Sequence, residues 1–511
     1  MDAPALHPIP DSERLLFRRQ FLLASTSYSP NEYWKVMELA HGLKLSVHCD
    51  LEVNIRQKGQ TCLVGLGILL DSLHPQRSTD DILDALLQVE DERSETLFES
   101  SKYLSGRWII ICIQPDSIRI FTDPCGFRTV FYVQAHSTLQ CASQPELLRE
   151  LHPLTLSTDA SKLDFMHSEL LEKNEYAWVG SETIYENCYH LLPNHYLDFK
   201  TAEQIRFYPV KPLEPMGSEQ LVEQASSLLR GTIEALISRY TLALPLTAGI
   251  DSRVLLAASK SYKKHIHYFV HRHGDMLASH ADIVVPSSIS NRLGIEFCVD
   301  QPSDQVPGWF YEQLDRNVTT ARHGNKTGNI YHQFCKGEQR LNVNGNGSEI
   351  CRNQFDRYGR KLVDKQSNED LATGLYGKGN IPAFVLDQLE KWRKDLGVLD
   401  QTGFNLLDFL YWEQRLGNWG AQYPCEQDIA LDEVSPFNNR ALLELLIRAP
   451  RKERQAPHFS LYLKLIKNMW PELLEFPVNP HFYTRYGTLK QKLRKAVPSK
   501  AEAKLRRFLK K

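Results

Sequence analysis

The distribution of apolar positions changes character about two-fifths of the way along the chain. In the first part, β-branched and aromatic runs at residues 62–70, 108–113, 117–122 and 129–133 are separated by Gly, Pro and Asp turns, the pattern of sheet strands. Among them, Ser78-Thr79-Asp80-Asp81 precedes Ile82, Leu83, Leu86 and Leu87, which reads as an N-cap and an acidic first turn ahead of a helical stripe. An α+β domain is expected here.

The second part has a helical period followed by alternation. Leu221, Val222, Ala225, Leu228, Leu229, Leu236 and Ile237 recur at helical spacing behind Ser218, which is expected to cap that helix, and core packing accounts for all of them. An apolar run at 243–246 then meets Thr247, Ala248 and Gly249. Ser252 is expected to open a helix carrying Val254, Leu255, Leu256 and Ala257. Strands are expected at 266–270, 296–299 and 341–344, with a helix at 282–292. Such alternation predicts an α/β domain with a doubly wound parallel sheet whose ligands sit at the carboxyl ends of its strands.

Composition narrows the class. A chain of 511 residues with 42% hydrophobic content can bury more than one core, and two domains are expected, 1–212 and 213–488, with a tail at 489–511. A net charge of −2 argues against a generally basic nucleic-acid binder. The ten cysteines show no Cys-x-x-Cys or metal-site spacing, so reduced thiols in a cytoplasmic protein are expected. No basic segment precedes an apolar stretch at the N-terminus, and no run of about 18 uncharged apolar residues occurs, so neither a secretory leader nor a transmembrane segment is expected. The tail is rich in Lys and Arg against Glu502 alone, with Leu505, Phe508 and Leu509 as a narrow apolar stripe, and predicts weak, salt-sensitive contact with an anionic surface.

The strand, loop and helix around Thr247 carry the candidate chemistry. Gly249 lets the backbone approach a ligand, and the helix behind it aims unpaired N–H groups at an anion. Thr247 and Ser252 add hydroxyl donors, while Asp251 makes sense beside phosphates when a divalent cation lies between them.

The stretch Leu246-Thr247-Ala248-Gly249-Ile250-Asp251-Ser252 resembles the Ser-Gly-Gly-Leu-Asp-Ser pyrophosphate loop of the asparagine synthetase family, which binds ATP and adenylates a carboxylate. Thr247 stands for the family's serine and Ala248 for its first glycine. Gly345-Asn346-Gly347-Ser348-Glu349 is similar to the family's Ser-Gly-Glu-Gly-Ser-Asp-Glu segment, with Glu349 at a magnesium-holding aspartate, Ile350 in place of the next glutamate, and Asn346 in place of a glutamate tied to intermediate handling. Thr319-Thr320-Ala321-Arg322 resembles Thr-Thr-Ile-Arg, and Pro436-Phe437-Asn438-Asn439-Arg440 resembles Pro-Phe-Leu-Asp, with Asn439 at the aspartate and a helix following over 442–450. A family lysine falls at Ser460, on an expected helix at 460–468, with Lys464 and Lys467 nearby.

The first part resembles the glutaminase half of the same family through Gly106-Arg107-Trp108, Asp123-Pro124-Cys125-Gly126-Phe127-Arg128, Ala142-Ser143, Leu192-Pro193-Asn194-His195 and Arg206-Phe207-Tyr208. That glutaminase uses an N-terminal cysteine whose own amine is the base. Position 2 is Asp2, and the first cysteine is Cys49, far inside the chain. A glutaminase-like (Ntn) α+β sandwich without glutaminase activity is expected, joined to a pyrophosphate-loop ATPase domain.

The resemblance implies an ATP-dependent carbon–nitrogen ligase using ATP and Mg²⁺ on a small-molecule or peptide carboxylate and an amine. It implies nucleotide contacts at Leu246, Thr247, Gly249, Asp251, Ser252, Val270 and Gly345, metal ligands at Asp251 and Glu349, and catalytic roles for Arg322 and Lys464. Intramolecular ring closure, as in β-lactam synthetases and lasso-peptide cyclases, is the nearest alternative. A nucleotide-binding protein without catalysis is the alternative from another class.

Overall fold

The computed structural model describes residues 12–90, 95–135, 138–272, 276–301, 306–334, 339–352, 354–356, 367–397 and 399–480. Asp2 and the basic tail at 489–511 lie outside the described residues. Among the described residues no helix is long and apolar enough to cross a membrane.

The first part folds as two six-stranded antiparallel sheets. Its strands are β1 (Phe21–Ala24), β2 (Trp34–Glu38), β3 (Lys44–His48), β4 (Val53–Lys58), β5 (Thr61–Asp71), β6 (Leu104–Gln114), β7 (Ser117–Thr122), β8 (Phe131–Ala135), β9 (Thr138–Ala142), β10 (Cys188–His190), β11 (His195–Asp198) and β12 (Glu203–Arg206). One sheet runs β10-β8-β9-β1-β3-β2 and the other β12-β11-β7-β6-β5-β4. Side chains alternate across a strand, so Ile109, Ile111 and Ile113 of β6 face Phe21, Leu23 and Leu45 of the other sheet. Trp108, Ile110 and Cys112 face the helix Thr79–Glu90 through Ile82, Leu83 and Leu86. Burial on both faces is why this strand reads as one unbroken apolar run.

Strands β13 (Leu242–Pro245), β14 (Ile266–His271), β15 (Phe297–Asp300), β16 (Leu341–Val343) and β17 (Glu433–Val434) form a parallel sheet in the order β15-β14-β13-β16-β17. The fold is therefore mixed: an antiparallel sandwich with a flanking helix, followed by a doubly wound parallel sheet. From β13 the chain winds outward through β14 and β15, then returns to lay β16 on the opposite edge of β13. The strand order thus reverses between β13 and β16. Leu242 and Leu244 enter the large core with the helix Ser218–Ile237, whereas Ala243 packs on the other face with Phe310 and Tyr331.

Two helix starts differ from expectation. Ser218 is the first helical residue, behind Gly217 at the N-cap, and its hydroxyl accepts from Lys464 Nζ at 2.9 Å instead of capping. The helix expected to open at Ser252 spans Ile250–Ala258 with Gly249 at its N-cap. Ser252 sits inside the first turn, where its hydroxyl contacts the loop.

The sandwich and the parallel-sheet part share a buried polar contact. Arg107 makes a two-pronged pair with Asp428, at 2.6 and 2.7 Å, and Arg128 reaches Asp432 at 3.2 Å. Asn438 accepts from the Cys125 N–H at 2.9 Å and donates to Gly106 O and Asp123 Oδ1, each at 2.7 Å. Asn439 caps the helix Arg440–Arg448 by accepting from Leu442 N–H, while its amide donates to Ser72 Oγ and Tyr103 O, each at 2.9 Å. The Arg440 guanidinium stacks over Phe207 and Tyr208.

Candidate functional site

The loops after β13 and β16 leave neighbouring parallel strands at their carboxyl ends, on the two sides of the reversal in strand order. That is where doubly wound sheets open a crevice. The loops approach closely: a Cβ on Gly345 would lie 2.7 Å from Asp251 Cβ, so glycine is the residue that admits this contact. Ser348 Oγ donates to Asp251 Oδ1 at 2.7 Å, locking one loop to the other.

The first loop is folded largely on its own hydroxyls. Thr247 N–H donates to Ser252 Oγ at 3.2 Å, the two hydroxyls lie 3.0 Å apart, and Gly249 N–H donates to Thr247 Oγ1 at 3.1 Å. Ala248 N–H donates to Asp282 Oδ1 at 2.8 Å, and Ala248 O accepts from Asn479 N–H at 2.9 Å. Asn479 belongs to a segment held by Arg253, a fully buried guanidinium of the helix Ile250–Ala258 that donates to Leu473 O at 2.9 Å and Pro477 O at 3.2 Å. Burial lowers the Arg253 pKa to about 10, still charged at neutral pH.

Asp251 and Glu349 meet through one cation. Arg352 lies 3.1 Å from Asp251 Oδ2 and 2.9 Å from Glu349 Oε1 and is 5% exposed. Its short helix, Ser348–Arg352, puts residues three apart on one face. Burial works against the charge, but the two carboxylates hold the Arg352 pKa above its ordinary value. Phe459 stacks on the guanidinium, and Tyr462 OH donates to Ser348 O at 2.8 Å.

The other residues singled out from sequence are placed as follows. Leu246 sends its side chain into the core and its N–H to Phe269 O at 2.7 Å, so at most its carbonyl is offered to a ligand. Val270 is buried next to the end of β14. Arg322 is clamped on the fully buried Glu426 at 2.9 Å, and it also donates to Trp419 O and Glu175 O. Lys464 lies on the helix Ser460–Met469 and pairs with Glu453 at 2.7 Å and with Ser218. Among the described residues, the hydrogen-bond partners of Arg322 and Lys464 include no residue of the two loops.

Arg352, Asp282 and Asn479 adjoin the candidate site without having been singled out from sequence, and Ser348 was read only as part of the second loop. Glu349 and Arg352, three apart in a turn, carried a legible signal as an ion pair. Asp282 was legible as an acidic first-turn residue, though not its reach to Ala248 N–H.

Comparison with protein-family models finds no match, and comparison with curated protein sequences finds none either. Among solved structures, an NH3-dependent NAD synthetase from Campylobacter jejuni aligns at 11% identity over 40% of this chain and 95% of that one, with a TM-score of 0.22. A glutamine-dependent NAD+ synthetase from Acinetobacter baumannii, in complex with ADP, aligns at 11% identity over 64% and 77%, with a TM-score of 0.21. A glutamine PRPP amidotransferase from B. subtilis, complexed with ADP and GMP, aligns at 9% identity over 67% and 73%, with a TM-score of 0.22. At such scores these likenesses carry no functional argument for this chain.

Proposed function

We propose that the crevice between β13 and β16 binds ATP and that the chain activates a carboxylate by adenylation, after which an amine takes the acyl group. A carboxylate oxygen would attack the α-phosphorus as pyrophosphate leaves, and the amine nitrogen would then attack the acyl carbon as AMP leaves. The observation that carries this reading is the convergence of Asp251 and Glu349, from two glycine-containing loops, on a single cationic position. The Thr247 and Ser252 hydroxyls and the Gly249 N–H would cradle pyrophosphate, and Gly345 would let the loops close on it. Positioning and charge neutralisation would supply most of the rate.

The donor set fits Mg²⁺ in kind, because two carboxylates flank the two amines of one guanidinium and hard oxygens are what the ion takes. When bound, the ion would neutralise the pyrophosphate charge. Asp251 and Glu349 would hold it, with Arg352 turning towards the phosphates.

A second reading, nucleotide binding without catalysis, is favoured by one observation: Arg352 occupies the two carboxylates that a catalytic metal would use. ATP/pyrophosphate exchange with a pool of carboxylates separates the two. The ligase reading expects exchange that Asp251→Asn reduces at least tenfold with the fold intact. ATP binding without exchange across the pool would leave the second reading standing, and equal ATP binding in Asp251→Asn and parent would remove this crevice from both.

A further inference from the structure

A cavity of about 450 Å³ lies at the opposite end of the parallel sheet, where Thr241 and Leu341 enter β13 and β16 and the sandwich closes over them. Five guanidinium groups line it: Arg14, Arg18, Arg19, Arg239 and Arg340. Three carboxylates share the walls, and each is committed. Asp50 takes Arg14 at 3.0 Å and Arg18 at 2.6 Å, while Glu52 accepts from Tyr240 OH at 2.7 Å and lies 3.5 Å from Arg239. Asp432 is held from behind by Arg107 and Arg128, each at 3.2 Å.

Arg19 is the exception. It is 6% exposed, and one of its amines donates to Asp428 O at 2.5 Å, but among the described residues no carboxylate lies within ion-pair distance of it. Burial, with Arg18 beside it, lowers the Arg19 pKa to about 10, so it is charged at neutral pH. A buried cation facing a polar cavity without its own counter-ion is costly unless an anion arrives to pair with it. The volume lies within the range of small-ligand sites.

We propose that this cavity is a second binding site, for a small molecule carrying two or more negative charges as phosphate or carboxylate groups, with Arg19 as its central partner. Guanidinium forks suit both groups by paired hydrogen bonds. Because its walls come from both the sandwich and the parallel sheet, occupancy tightens the contact between them. It stands independently of the nucleotide reading, since no residue of the Thr247–Ser252 or Gly345–Glu349 loops lines the cavity.

The test is calorimetric titration of the full chain at low salt with inorganic pyrophosphate and, separately, with citrate, which distinguishes the phosphate from the carboxylate source. The expected result is saturable binding of at least one probe at a site that Arg19→Gln weakens at least tenfold and Arg340→Gln several-fold, separate from any pyrophosphate binding at the β13 loop. Should Arg19→Gln fail to fold, Arg340→Gln on the cavity wall decides the matter. Absence of saturable binding by both probes overturns the proposal. So does affinity kept in the folded arginine variants, or affinity lost in Asp251→Asn and kept in Arg19→Gln, which would put the anion at the β13 loop.

Discussion

Single residues set the chemistry available at the crevice. Arg352 is the shared counter-ion of Asp251 and Glu349, so Arg352→Met leaves two carboxylates facing each other. It should cost about 1–3 kcal/mol, the penalty of orphaning partly buried charged partners. Added Mg²⁺ should recover part of that loss, raising the melting temperature of the variant more than that of the parent; equal shifts would mean the carboxylates do not share a cation site. A second residue titrates in a useful range. Glu433, on β17, is 2% exposed, and burial pushes its pKa up to about 7 against the pull of Asn342 and Lys326. A carboxyl whose pKa rises on folding favours the folded state while protonated, and that contribution fades as pH climbs from the ordinary carboxylate range through 7. Glu433→Gln should therefore be more stable relative to the parent at pH 8 than at pH 5, by on the order of 3 kcal/mol, as paired unfolding curves at the two pH values would read.

At the scale of elements, local pattern and structure agree where burial is simple. The expected strand at 117–122 matches β7, and the runs at 62–70 and 108–113 fall within β5 and β6. The helices expected at 282–292 and 460–468 were found as Ala281–Leu293 and Ser460–Met469. Strands β1 to β4 were not read from sequence. β2 and β4 carry exposed positions and no strongly apolar face, whereas β1 and β3, without an exposed position, run for only four and five residues. Helix starts were misread where a glycine, which has no side chain to announce a cap, takes that position. Asn439 is the opposite case, a side chain that caps a helix and ties it to the sandwich. Asn439→Ala should lose about 1 kcal/mol for the cap and a further 1–3 kcal/mol for the partners left at Ser72 and Tyr103. Chemical denaturation is the measurement, and a loss confined to the capping figure would show that the two amide bonds contribute nothing.

Across the whole molecule, the segments that resemble a glutaminase half serve here as the inner surface of the sandwich against the parallel sheet. Arg107 is 1% exposed and bound in two places to Asp428, so Arg107→Met would leave a buried carboxylate without its main partner, at a cost of about 3–5 kcal/mol. Scanning calorimetry should show one transition for the parent and an earlier, broader or split one for the variant. A variant that melts like the parent would mean the charge cluster does not couple the two parts.

The amino-acid sequence by itself determined the class of each half and the position of the two glycine-containing loops, because alternation, helical period and glycine at a strand end are local properties of the chain. Thr247, Gly249 and Asp251 were placed on the first loop for that reason, while Gly345 and Glu349 were placed on the second by its resemblance to a family segment. The tertiary structure alone decided what those residues face. Ser348 meets Asp251 across 97 positions, and Arg107 meets Asp428 across 321, separations over which no periodicity carries information. Arg322 and Lys464, legible as cations, were given their partners by packing: Glu426 for one, Glu453 and Ser218 for the other. Arg19 shows the same limit most plainly, since only folding buries this charge beside a cavity with no carboxylate within ion-pair distance among the described residues.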